Sequence, residues 1–368
     1  MSTFVYVQPH LRLGGAERQT VLTANALVDR GHDVVVVLHV GGGALVEHLH
    51  ADVRVHVLGL GHHAGVLEIA RRLAAVLRRL PPALVIVKLW SSIVATALVD
   101  HLAGTRHHAV NYCEDLDPTD HAGYIRLGAV KQRLVRHVFR SRPLLSANTQ
   151  TVADSMVDVY GLRSRPAVIP STVDPDRIRA AAAARPESRG PHLTVVSVGS
   201  LITRKGLDVT RAALTGLDEP VHWRIVGEGP LAPELRRWAA AAPPGMRISL
   251  EGGHPEPYGF MAAADVLVHS ARSEAWGIVL LEAMSVGTPV VATQAIGPRE
   301  MQRVLGPRPA LLRTVPVGDV GAVRDAVAAV RRDRRPTPEE GSRYVRPFTV
   351  DRAADLWERR AVVAGVPR

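Results

Sequence analysis

Short runs of β-branched and other apolar residues alternate with amphipathic stretches from one end of the 368-residue chain to the other. The first half carries FVYVQ (4 to 8), VVVVLH (34 to 39), ALVIVKL (83 to 89), AVNYC (109 to 113) and LLSAN (144 to 148). The second half carries LTVVSVG (193 to 199), HWRIVG (222 to 227), RISL (247 to 250), DVLVHS (265 to 270) and PVVAT (289 to 293). Continuous apolar runs of this kind belong to strands covered on both faces, and alternation with helices makes the sheets parallel. Between them lie helices such as 66 to 80, where Leu67, Ala70, Leu73, Leu77 and Leu80 mark one face. The fold class expected is therefore α/β.

A chain this long exceeds what one core usually holds, so two domains are expected. Residues 171 to 191, STVDPDRIRAAAAARPESRGP, combine prolines, charge and an alanine tract. They read as a linker between a domain at 1 to 170 and one at 192 to 345, with 346 to 368 holding a final helix. In open parallel sheets ligands sit at the carboxyl ends of the strands, so two such domains facing each other would enclose a central cleft.

Composition removes several classes of function. No apolar run approaches the roughly 20 residues of a membrane span, and the chain begins in strand-like FVYV without a basic flank and cleavage site. The expected location is the cytoplasm. Cys113 is the only cysteine, so no internal disulfide is available. A net charge of +10 favours anionic partners. Nucleic acid is not among those expected, because no zinc-finger spacing or aromatic stacking motif is present and aromatics are 4% of residues. The 17 histidines show no metal-ligand spacing, so no metal is assigned.

Four stretches carry chemistry. LRLGGAER (11 to 18) puts Gly14 and Gly15 between a strand and a helix start, where backbone approaches a ligand or makes a tight turn. VGSLITRKG (198 to 206) sets Arg204 and Lys205 just ahead of a helix, suited to a diphosphate or to solvent. VGEGPLA (226 to 232), with Glu251 near the end of the next strand, imitates a dinucleotide fingerprint, but follows the second strand of its sheet rather than the first. In SEAWGIVLLEAMSVGTPVV (273 to 291), Glu282 is enclosed by Leu280, Leu281, Ala283 and Met284. A carboxylate in such a setting needs a partner. With a helix starting near Gly277, Glu274 lies in the preceding loop and Glu282 two turns on, on roughly the same side. A ribose diol or a neighbouring arginine would satisfy Glu282.

GGAER at 14 to 18, G-x-x-x-x-x-KG at 199 to 206, VGEGP at 226 to 230, the E-x7-E of 273 to 291 and GPRE at 297 to 300 occur in an order that resembles retaining glycosyltransferases of family 4. The resemblance covers essentially the whole chain. It implies the GT-B fold, two Rossmann-like domains with the last helix crossing back onto the first. It also implies a metal-independent transfer of a hexose, without cofactor, from a UDP- or GDP-sugar to an acceptor hydroxyl, with retention. Glu274, Lys205 and Arg204 would be catalytic. Donor-binding positions would be Gly14, Gly15, Gly199, Ser200, Arg204, Lys205, Gly227, Glu274, Ala275, Trp276, Gly277, Ile278, Val279 and Glu282, the last holding the ribose. Acceptor-binding positions would be His10, Glu114 and Asp115.

The chain departs from the family pattern in places. Ser200 stands where arginine is usual, leaving the charge to Arg204, and Glu114 stands where a histidine often ends the fourth strand of the first domain. Around it, Glu114, Asp115, Asp117 and Asp120 suit a cationic acceptor, such as an amino sugar, or plain solvation, whereas Asp115-Leu116-Asp117 only imitates a metal-binding DxD. A helix at 124 to 141 groups Arg126, Arg133, Arg136 and Arg140, a face for solvent or for peripheral membrane contact. Two rival functions stand beside the transferase: a nicotinamide oxidoreductase reading ribose through Glu251, and a sugar-nucleotide-binding protein without turnover.

Overall fold

The computed structural model describes residues 1–61, 64–99, 107–120 and 128–367. The chain divides into two compact units, Met1–Ser171 with Val350–Arg368, and Thr172–Thr349.

The first unit holds strands β1 (Thr3–Gln8), β2 (Asp33–Leu38), β3 (Arg54–Val57), β4 (Ala83–Val87), β5 (Ala109–Glu114), β6 (Leu145–Ala147) and β7 (Ala167–Val168). They form one parallel sheet in the order β3-β2-β1-β4-β5-β6-β7. Helices α1 (Gly15–Asp29), α2 (Val66–Leu77), α3 (Trp90–Val99), α4 (Gly128–Arg140) and α5 (Gln150–Tyr160) come after β1, β3, β4, β5 and β6 respectively. One face of the sheet presents Phe4, Tyr6, Val34, Val36, Leu84 and Ile86, against which α1 packs Val21, Ala24 and Leu27. The C-terminal helix Val350–Val363 adds Ala354, Trp357 and Ala361 to the same core. Burying side chains of this size contributes about 1.5 to 3 kcal/mol each for the larger ones, which anchors that helix more than its ion pairs do. The pairs are Arg30 with Asp355 at 2.6 Å and Glu358 at 3.2 Å. Deeper in, Arg360 donates from Nε to Asn111 and from Nη2 to the Leu145 carbonyl, both at 2.8 Å.

The second unit holds β8 (Leu193–Val198), β9 (Val221–Val226), β10 (Met246–Gly252), β11 (Val266–His269), β12 (Val290–Thr293) and β13 (Leu312–Val315). Its parallel order is β10-β9-β8-β11-β12-β13. The helices are α6 (Pro175–Ala184), α7 (Leu207–Thr215), α8 (Ala232–Ala240), α9 (Tyr258–Ala263), α10 (Ile278–Ser285), α11 (Ile296–Leu305), α12 (Val320–Val330) and α13 (Pro338–Tyr344). Both sheets thus run outward from their first strand in both directions, and reverse order between β1 and β4 in one and between β8 and β11 in the other.

Three strands are absent from the sequence reading. All four residues of the edge strand β3 are exposed and Arg54 and His56 interrupt its apolar pattern, β7 has two residues, and LRTV of β13 is short and half polar. Residues 171 to 191 are more than a linker. Asp174 caps α6 by accepting the Arg177 amide, Pro175 takes the first helical turn, and the helix belongs to the second unit. The helix read at 66 to 80 ends at Leu77, and the one read at 124 to 141 is described from Gly128 to Arg140, leaving Arg126 outside the described residues. Among the described residues no helix is long and apolar enough to cross a membrane.

Candidate active site

Loops leaving the two strands that flank an order reversal diverge and leave room for a ligand. In the second unit these are the loop after β8, residues 199 to 206, and the loop after β11, residues 270 to 277. Gly206 sits at φ +63°, and a Cβ there would stand 2.1 Å from the Ser270 carbonyl oxygen. Only glycine lets the two loops meet this closely. Ser270 Oγ then donates to the Gly206 carbonyl at 2.6 Å, the Arg272 amide to the Arg204 carbonyl at 2.8 Å, and Arg204 Nη1 to the Ser273 carbonyl at 3.0 Å. Arg272 also pairs with Asp208 at 2.5 Å, and its hydrogen bond holds that carboxyl below its usual range.

This clamp brings Lys205 Nζ onto Glu274 Oε2. His269, the last residue of β11, brings Nε2 to the same oxygen at 3.0 Å. The Glu274 side chain is 11% exposed. Burial opposes its ionisation, yet Lys205, His269 and Arg204 together hold it well below the usual carboxylate range. Burial likewise lowers the His269 pKa, despite its bond to Glu274. A neutral ring facing an ionised oxygen must carry its proton on Nε2.

Glu282 lies on the second turn of α10, which starts after Gly277 at φ +88°. It is 1% exposed, and Tyr258 Oη donates to its Oε1 over a long 3.4 Å. The flanking Leu280, Leu281, Ala283 and Met284 are fully buried. GPRE anchors the neighbouring loop, because the Gly297 amide at the start of α11 donates to the Glu274 carbonyl at 2.9 Å. Ala275, Trp276 and Ile278 are core residues, with the Trp276 ring edge-on to Phe348 at 4.9 Å. What they can offer a ligand is backbone at the N-terminus of α10, with Gly277 and half-buried Val279. Gly199 directly follows β8 and Ser200 is exposed.

The dinucleotide fingerprint has a structural explanation. A Cβ on Gly227 would lie 1.9 Å from the Gly199 carbonyl oxygen, so this glycine serves the packing of two loops. Glu251 accepts from Arg224 Nε at 2.7 Å and Ser249 Oγ at 2.9 Å. Burial raises its pKa, but Arg224 outweighs this and lowers it, so the ribose reader such an enzyme needs is already engaged.

In the first unit, Gly14 is the N-cap of α1 and Gly15 its first residue. The Glu17 carboxylate folds back over Gly14, and His10 Nδ1 lies 3.4 Å from Glu17 Oε1. Burial raises the Glu17 pKa, with nearby Lys88 opposing. Lys88, directly after β4, is 9% exposed with Nζ 4.0 Å from Asp115 Oδ2. Next to it, Leu89 alone among the described non-glycine residues has a positive φ, +65°. Glu114 and Asp115 part company, as neighbours at a strand end do. Glu114 is buried and accepts from Tyr160 Oη at 2.9 Å and from the Leu116 amide, whereas Asp115 lines a cavity with Lys88, Gln19 and Thr23. Asp117 accepts from the Thr119 amide at 3.0 Å and Ser155 Oγ at 2.7 Å, so the DxD imitation does not converge. Sequence reasoning gave no role to His269, Tyr258, Glu17 or Lys88, and a lone imidazole ending an apolar strand run carries no sign of its partner.

Two parallel α/β units with these strand orders are the arrangement of the GT-B fold. The solved structure of Anabaena HepE in complex with UDP and glucose has that fold at a TM-score of 0.78 and 17% identity, covering 98% of this chain and 100% of that one. Residues 13–177 match the family model Glycosyltransferase Family 4 and residues 180–304 the model Glycosyl transferases group 1, and the chain belongs to these glycosyltransferases. Among curated relatives, the lipopolysaccharide core biosynthesis glycosyltransferase LpsE of Rhizobium meliloti is 30% identical over 178 residues, 48% of this chain and 51% of that protein. A GDP-mannose-dependent alpha-(1-6)-phosphatidylinositol monomannoside mannosyltransferase of Mycobacterium tuberculosis is 35% identical over 149 residues, 36% of this chain and 39% of that protein. The chain thus spans about half, or less, of the length of these curated relatives.

Proposed function

We propose that the protein transfers a hexose from a UDP- or GDP-sugar to an acceptor hydroxyl, with retention and without a metal. The observation that carries this reading is the convergence of Lys205, Arg204 and Glu274 at the order reversal of the second sheet, beside the N-terminus of α10. Lys205, Arg204 and the backbone of Gly277 to Val279 would neutralise the diphosphate. Glu282, one helical turn deeper, would accept the ribose hydroxyls. Glu274 would contact the donor sugar near its reacting carbon, and its Oε1 accepts nothing among the described residues. From the first unit, Gly14 and Gly15 would offer backbone to the donor, and His10, Glu114 and Asp115 would handle the acceptor, with Glu114 also held by Tyr160.

In the step itself, the bond from the anomeric carbon to the phosphate oxygen breaks and one to the acceptor oxygen forms on the same face. The acceptor proton passes to the departing phosphate. Charge grows on that phosphate, where the two cations and the helix end stabilise it more in the transition state than in the ground state. Trapping a glycosyl adduct on the enzyme would instead favour a covalent intermediate.

A panel of UDP- and GDP-sugars with mass detection of products tests the reading. Thermal unfolding with UDP, GDP and NAD separates it from the oxidoreductase: a bound ligand at about 100 times its Kd stabilises by about 2.7 kcal/mol. Stabilisation by NAD alone would refute the proposal, and binding of a sugar nucleotide without any hydrolysis or transfer would favour the non-catalytic rival.

The partner and location extend the same reading. The protein would act in the cytoplasm, and α4, where Val130 and Leu134 stand exposed among Arg133, Arg136 and Arg140, would touch an anionic membrane surface peripherally.

A further inference from the structure

We propose that His269 is a positioning residue that sets which oxygen of Glu274 is offered to the donor sugar. The inference rests on the transferase reading and adds a residue that reading does not use. A carboxylate held by one flexible lysine can turn about its last torsion and present either oxygen. Here Oε2 receives two donors from different elements, Lys205 Nζ from the loop after β8 and His269 Nε2, at 3.0 Å, from the end of β11. Two donors on one oxygen fix the carboxylate plane and leave Oε1 as the face for a ligand. The two donors differ in stiffness: Lys205 hangs on a four-carbon stem, whereas His269 is 5% exposed on a strand paired on both sides, with β8 and β12. Leu267 and Val268 before it and Ser270 after it are buried as well, so the ring has little freedom to follow a carboxylate that turns. Burial without a chemical role favours an apolar residue at such a site. A histidine there is explained by its Nε2–H.

The test compares His269→Gln, which returns an N–H close to the position of Nε2, with His269→Met, which fills the space without a donor. Each is assayed for acceptor-free hydrolysis of UDP-glucose and GDP-mannose and for UDP and GDP affinity by calorimetry. In the wild-type protein, a long-range proton–nitrogen spectrum reads the imidazole tautomer directly. The expected result is an Nε2–H tautomer, a loss of kcat of tenfold or more in His269→Met with nucleotide affinity within twofold of wild type, and recovery of most of that kcat in His269→Gln. Equal kcat in the two variants, a loss confined to KM or nucleotide affinity, or an Nδ1–H tautomer would overturn the inference while leaving the transferase reading intact. If the wild-type protein neither binds UDP or GDP nor hydrolyses either sugar nucleotide, the transferase reading falls and takes this inference with it.

Discussion

The two sheets share one strand order and place charged groups at the same topological position, yet the groups are arranged differently. At the reversal of the second sheet, Lys205 and His269 meet a single oxygen of Glu274 in direct contact. At the reversal of the first, Lys88 stands 4.0 Å from Asp115, and His10 lies 3.4 Å from Glu17. The contrast separates a tightly fixed charge cluster, in which two donors hold one carboxylate oxygen, from a looser set of polar groups; under the proposed function the first would serve the donor and the second the acceptor.

The largest effect expected is on Lys205. Lys205→Ala should lower turnover by about 10² to 10³, the range for removing one electrostatic stabiliser, whereas Lys88→Ala should leave acceptor-free donor hydrolysis near wild type. Equal losses in both would erase the distinction between the units.

Acid should weaken the first unit through His39, whose pKa burial lowers from 6.5 to about 4. Between those values the unfolded chain takes up a proton that folded His39 does not, so stability falls as pH falls. The difference converts to about 3 kcal/mol. Denaturant unfolding from pH 7 to 4 checks this, with a flatter profile expected for His39→Gln.

Glu282→Ala should weaken UDP or GDP binding about 10- to 100-fold, the worth of hydrogen bonds to a charged group, and Asp115→Asn should leave it unchanged. Calorimetry on both variants sharpens the assignment of nucleotide to the second unit. The smallest effect concerns α4: each arginine replaced among Arg133, Arg136 and Arg140 should cost about 1 kcal/mol of binding to anionic vesicles, read by co-sedimentation. Salt-insensitive or absent binding would leave that helix a solvated face.

Much of this architecture is legible before any coordinates, because fully buried parallel strands write themselves as unbroken apolar runs. The exposed edge strand β3 and the two-residue β7 escape for the opposite reason: little in RVHV or AV distinguishes a ladder from a loop. The order of Arg204, Lys205, Glu274 and Glu282 along the chain suggests a shared site, and the clamp through Gly206 and Ser270 brings the first three together. His269 is not legible, since its partner lies across a loop and an isolated histidine in a strand says nothing about where its ring points. Glu114 and Asp115 look interchangeable in NYCEDLDPTDH, and only the strand register sends the first to Tyr160 and the second toward Lys88.

The most direct measurement is crystallographic density for UDP or GDP bound to this protein. The account predicts the diphosphate against Lys205 and Arg204, with both ribose hydroxyls donating to the Glu282 carboxylate. Nucleotide seated anywhere else, or a ribose that leaves Glu282 bonded only to protein, would contradict it.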